Sequence, residues 1–184
     1  MKILVRGTNW IGDAVMQIPA LRQLRRVFPD ASLTLHTRAW AQGIFEDADF
    51  VDEILTFETS KSKFRDVFTQ AKILRQRKFD LVVLFPNSFE SALTAKLANI
   101  KTRIGYDKDA RSFLLTDVLP IPEWKNRKHE VFYYLNLVAE VEKKFVGTET
   151  VLLNGPQFDL RFRRKGRRRR EKFWRRAELI CQKK

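Results

Sequence analysis

Along the chain the spacing of apolar positions switches repeatedly between strand-like and helix-like periods. Lys2–Arg6 (KILVR) is a short apolar run closed by glycine, which predicts a buried first strand and a turn over Gly7–Gly12. From Asp13, Val15, Ile18, Leu21, Leu24 and Phe28 follow helical spacing, with Pro19 set to kink that helix or restrict its first turns and Pro29–Asp30 to end it. Ser32–His36 (SLTLH) alternates as a second strand, a short helix follows around Ala39–Phe45, and Val51–Phe57 is a third strand candidate. Phe64, Val67, Phe68, Ala71 and Leu74 mark a second long helix.

The continuous apolar run Asp80–Phe85 (DLVVLF) predicts a central parallel strand covered on both faces. Asn87 with Glu90 makes a capping-box-like start for a helix over Phe89–Ala98. Thr102–Tyr106 follows as a fifth strand, Phe113–Val118 as a sixth, and Val131, Tyr134, Leu135 and Val138 as a last amphipathic helix. Strands alternating with helices imply an α/β fold, a Rossmann-like doubly wound parallel sheet.

Charge changes the picture only at one end. The 184 residues carry a formal +14, but residues 161–184 alone hold thirteen Lys/Arg against two acidic residues. The preceding 160 residues are nearly balanced, at +3. The expected organisation is therefore one Rossmann-like domain over 1–158 and a basic low-complexity tail over 159–184, disordered or out of frame. Such a tail could bind nucleic acid or an anionic membrane, but only nonspecifically and with strong salt dependence.

A lone cysteine, Cys181, leaves no internal disulfide, and with only His36 and His129 a structural zinc cluster is not expected. No apolar run approaches the roughly 18 residues of a membrane span. Arg6, Asp13 and Arg22 interrupt any signal-peptide core. The expectation is a cytoplasmic domain.

In open parallel sheets ligands bind beyond the carboxyl ends of the strands. Two loops there carry candidate chemistry. Gly7-Thr8-Asn9-Trp10-Ile11-Gly12-Asp13 has glycines at both ends and a carboxylate at a helix start. It lacks the GxGxxG spacing of a dinucleotide fingerprint and the Gly-Lys-Ser/Thr of a Walker loop, which argues against a nicotinamide-dependent dehydrogenase. On spacing alone Asp13 reads as a helix cap or as a carboxylate favoured by the helix dipole, and Trp10 as a core lid or a sugar-stacking ring. The second loop, Phe85–Ala92, offers Asn87 and Ser88, each of which could equally cap the next helix.

The opening ILVRGTNWIGDAVMQIPALRQLRRVFP resembles the N-terminus of the lipopolysaccharide heptosyltransferases. FPNSFESALTAKLANIKTRIGY, RSFLLTD and KHEVFYYLNLV look like the heptosyltransferase II branch, and the resemblance runs from Met1 to about Phe158. It implies the N-terminal, acceptor-side domain of a two-domain GT-B glycosyltransferase that inverts configuration. The implied reaction moves heptose from ADP-heptose to the lipopolysaccharide inner core at the cytosolic face of the inner membrane. No cofactor or metal is implied. By the same resemblance Asp13 is the general base, and the phosphorylated acceptor meets Asn9, Trp10, Asn87, Ser88, Arg111 and Lys128. The donor-binding domain that the family carries next has no counterpart in Arg161–Lys184, so the chain is expected to be inactive alone.

Overall fold

The computed structural model describes residues 1–158. Six strands form one wholly parallel sheet in the order β3-β2-β1-β4-β5-β6. They are β1 Lys2–Arg6, β2 Ser32–Arg38, β3 Glu53–Phe57, β4 Leu81–Leu84, β5 Thr102–Tyr106 and β6 Asp117–Leu119. The helices are α1 Ile11–Met16, α2 Ile18–Val27, α3 Gln42–Phe45, α4 Lys63–Arg77, α5 Phe89–Leu97 and α6 Glu130–Phe145. This is the doubly wound, Rossmann-like order, and its direction reverses between β1 and β4.

Side chains of a strand alternate between faces, so each central strand feeds two cores. Ile3 and Val5 of β1, with Leu81 and Val83 of β4, join the larger core under α2 and α6. Leu4, Val82 and Leu84 point the other way, into the core under α4 and α5. All four residues of β4 are buried, which is why LVVL carries no polar alternation. Fully burying each such side chain contributes about 1.5–3 kcal/mol, so the two strands at the centre anchor the domain.

Several elements differ in detail from the sequence expectation. The first long helix is two helices broken at Gln17, with Pro19 in the first turn of α2, where a missing N–H costs nothing. Gln17 is fully buried and its side-chain oxygen accepts from the Thr8 N–H at 3.2 Å, which ties the β1–α1 loop to the break. The third strand begins at Glu53; Phe50 and Val51 are instead buried plugs of the larger core. The expected sixth strand over Phe113–Val118 is a 3₁₀ turn, Ser112–Leu114, and then β6. Leu114 and Leu115 look strand-like because they are apolar, yet they serve to close the smaller core.

The expected capping box at α5 is also corrected. Ser88 is the cap, its hydroxyl accepting from the Ser91 N–H at 3.3 Å, while Asn87 points elsewhere. At the far end of α6 the buried carboxylate of Glu142 accepts from the N–H groups of Thr150 and Val151 (2.7 and 2.9 Å) and from the hydroxyls of Thr148 and Thr150 (2.9 and 2.6 Å). It folds the segment after the helix back, and seats Val151 in the core. Among the described residues no helix is long and apolar enough to cross a membrane. The expected basic tail lies outside the described residues.

Candidate functional site

At the switch point, beyond the carboxyl ends of β1–β3 and the starts of α4 and α5, lies a cleft of about 670 Å³. Parallel pairing sets its base, because Arg6 ends β1 beside His36, and Arg38 ends β2 beside Phe57 of β3. The Arg6 guanidinium lies 3.6 Å from the centre of the Phe57 ring and 3.2 Å from Nδ1 of the buried His36. Arg38 faces the same ring at 5.5 Å. Burial, and secondarily the neighbouring charge of Arg38, pull Arg6 down to about 9, with Glu90 opposing. Burial and then Arg6 hold the His36 ring well below the ordinary histidine range, so it stays neutral and accepts from Arg6 through Nδ1. The base of the cleft therefore has two cations close together, while the carboxylates of its wall, Glu90 and Asp66, are engaged by Lys63 at 3.3 Å and by Ser60 at 2.7 Å.

Asn9, Trp10, Ser88, Lys63 and Glu90 also line this cleft. Trp10 is 75% exposed, so it is a free ring at the mouth and not a core lid. Lys63 pairs with Glu90 at 3.3 Å. Three of the residues expected from the sequence, Asn9, Trp10 and Ser88, are thus brought together.

The other expected residues lie elsewhere. Asp13 is half-buried in the first turn of α1, whose cap is Trp10, and Asp13 is not on the cleft wall. Its carboxylate stands against the Tyr134 hydroxyl of α6; burial first, and then Asp13, drive the Tyr134 phenol far above its ordinary range. Lys128 is exposed on the loop before α6, near the rings of Trp124 (5.2 Å) and Phe132 (5.9 Å), and is not among the cleft residues.

Arg111, expected to meet the acceptor, has no exposed surface at all. Its Nη1 donates to the Pro86 carbonyl at 2.5 Å and the Ser91 hydroxyl at 3.3 Å. Nη2 donates to Asn87 Oδ1 at 3.3 Å and Nε to the Tyr106 carbonyl at 3.1 Å. Asn87 turns its amide to the Tyr133 hydroxyl at 3.1 Å. Two consecutive left-handed residues, Asp109 (φ 54°) and Ala110 (φ 51°), turn the chain so that Arg111 enters from below. Arg111 and Asn87 therefore position the Pro86–Ser91 loop that delivers Ser88 to the cleft. Burial lowers the Arg111 guanidinium to about 10, which leaves it a cation at neutral pH.

Sequence reading missed Arg6, Arg38 and Lys63. The signal was present for two of them: basic residues closing the first and second strands sit where such sheets bind ligands. Among the described residues no three His, Cys, Asp or Glu side chains gather as metal ligands would.

A Rossmann-like domain whose cationic cleft opens at the switch point is the architecture of one half of a GT-B glycosyltransferase. The chain belongs to glycosyltransferase family 9 (heptosyltransferase), whose sequence model matches residues 67–176, a range that continues past the described domain into the basic segment. It is 31% identical over 121 residues to lipopolysaccharide heptosyltransferase 2 of Escherichia coli strain K12, covering 64% of this chain and 34% of that protein. Lipooligosaccharide heptosyltransferase 2 of Haemophilus ducreyi is likewise 31% identical over 120 residues, with the same coverage. The structure of E. coli ADP-heptose lps heptosyltransferase II matches with a TM-score of 0.68 and 29% identity, over 88% of this chain and 45% of that one. E. coli heptosyltransferase WaaC with ADP shares the fold, at a TM-score of 0.66 and 17% identity. The chain spans about a third of the length of the curated relatives it matches.

Proposed function

We propose that this domain is the acceptor-binding half of an inverting heptosyltransferase that moves heptose from ADP-heptose to the lipopolysaccharide inner core. The observation that carries the reading is the cationic cleft at the switch point of a family 9 fold, with the Asp13 loop at its rim. Arg6, Arg38 and Lys63 supply positive charge for the acidic, phosphorylated acceptor, and Trp10 offers a flat face for a sugar ring. Asn9 and Ser88 supply neutral hydrogen-bonding groups beside them.

Asp13 is the base in this proposal. The acceptor hydroxyl loses its proton to the carboxylate as its oxygen bonds to the anomeric carbon of the donor. The bond from that carbon to the diphosphate oxygen breaks on the opposite side, and ADP leaves with the electron pair. The donor is held by the second half of a GT-B enzyme, so heptose transfer needs that half present. The enzyme acts at the cytosolic face of the inner membrane, where its acceptor is anchored.

The test joins this domain to the donor half of a relative and compares Asp13→Asn with Asp13→Ala in heptose transfer. Both should lower turnover by roughly 10²–10⁴, the usual worth of a positioned base. Near-normal turnover of the Asn variant would remove Asp13 from the chemistry.

A further inference from the structure

The outer face of α4 is unlike an ordinary solvated helix surface. Val67, Gln70, Ala71 and Leu74 face the sheet and are buried. One turn apart, flanking that buried stripe, Phe64 and Phe68 are 75% and 60% exposed. Arg65, Lys72 and Arg75 are interleaved with them, all exposed. The only carboxylate of the helix, Asp66, is turned back to the N–H and hydroxyl of Ser60, both at 2.7 Å. Exposed rings set among cations, with no free carboxylate, are the composition of a helix that lies in a lipid–water interface.

This face continues toward the site. Phe64 borders a groove of about 260 Å³ with Phe89, Leu93 and Asp109, and Lys63 and Glu90 belong to both the groove and the cleft. Beyond the groove the Phe89 ring lies 6.1 Å from that of Phe113, which is 68% exposed and has the Lys96 ammonium 5.6 Å away. A contiguous aromatic patch beside the cleft mouth is more than scattered surface apolarity.

We propose that α4 rests on an anionic bilayer, with Phe64 and Phe68 entering the headgroup–acyl boundary and Arg65, Lys72 and Arg75 meeting acidic headgroups. The charge of the face selects this occupant: a second copy would set the same cations against one another, whereas an acidic lipid surface neutralises them. The cleft then opens at headgroup level. The inference rests on the proposed function only for the reason a membrane is nearby, and its test uses no transfer reaction.

The experiment uses the full chain with Cys181→Ser, carrying an environment-sensitive fluorophore at Phe64→Cys, at Phe68→Cys or, as a control, at Asp30→Cys on the opposite end of the sheet. Vesicles of phosphatidylethanolamine and phosphatidylglycerol should blue-shift the dye at positions 64 and 68, and brominated lipid should quench it there. Position 30 should not respond. In the unlabelled chain Phe64→Ser with Phe68→Ser should weaken vesicle partition by about tenfold or more. Lys72→Gln with Arg75→Gln should weaken it and flatten its salt dependence. The basic segment at the chain end also attracts anionic vesicles, so binding with the dyes at 64 and 68 unshifted would overturn the proposal. Equal shifts with pure phosphatidylcholine, or a concentration-dependent shift without lipid, would overturn it in favour of plain apolar contact or self-association.

Discussion

The Arg111 guanidinium lies over Gly105 so closely that a β-carbon on that glycine would stand 2.8 Å from Nη2. The glycine is thus required by a side chain six residues later, not by its own backbone. Leu84 closes the other side at 3.4 Å, so the displaced group has little room to retreat. Gly105→Ala should push the guanidinium off its carbonyl partners and destabilise the domain by about 1–3 kcal/mol, as Arg111→Met should by leaving them unsatisfied. Ala110→Gly, which relieves a left-handed non-glycine residue, should instead stabilise by up to about 1 kcal/mol. Urea unfolding of the three variants gives the signs directly.

Glu142 makes the domain sensitive to acid. Burial alone would raise its carboxyl, but the bonds from Thr150, Val151 and Thr148 outweigh burial and bring it to about 2. A folded value below the unfolded one gives stability that is fully present above about pH 4.5 and lost as pH falls toward about 2. The contribution is on the order of 3 kcal/mol. Glu142→Gln should cost a similar amount at neutral pH and flatten the stability curve between pH 4.5 and 2. A variant as acid-labile as the parent would show that another carboxylate governs that window.

His36 should remain neutral where an ordinary histidine is already protonating, with Nδ1 unprotonated and accepting from Arg6. Its folded value lies below the unfolded one, so its contribution to stability is intact above about pH 6.5 and declines only as pH falls below that. Ring nitrogen shifts in NMR, followed from pH 8 to 5, should show no imidazolium until well below 6.5. Titration near the ordinary value would mean that the ring is not buried beneath Arg6 as described.

In an enzyme assembled with a relative's donor half, Arg38→Gln should raise the acceptor KM by about 10- to 100-fold, the worth of a hydrogen bond to a charged group. In the proposed reading Arg38 binds the acceptor and takes no part in the bond that forms, so turnover should change far less. A fall in kcat with KM unchanged would place Arg38 at the reacting atoms.

Regular elements were the legible part of this sequence. LVVL, KILVR and the helical spacing of α6 each state a period that burial on the sheet then realises, and the element order alone gives the doubly wound topology. Leu114 and Leu115 show the limit, because apolarity demands burial without saying whether a strand or a turn provides it. For the site, Asn9, Trp10 and Ser88 were legible from their places after strands. Arg111 was not: its side chain crosses beneath the loop it supports, and no local pattern shows on which side of a loop a guanidinium lies. Arg6 and Arg38 form a pair only because β1 lies beside β2, a relationship that sequence order does not display.

The break at Gln17 separates two duties that one long helix would have fused. α2, seated in the core by Ile18, Leu21 and Leu24, supplies cohesion. α1, six residues long and with only Ala14 buried, carries the rim of the cleft. The exposed positions Asn9, Trp10 and Ile11 can therefore change at little cost to folding, whereas Ala14, sealed in the larger core, cannot. The mouth of the cleft and the rigidity of the domain thus rest on separate stretches of chain, tied to each other through the Thr8–Gln17 hydrogen bond.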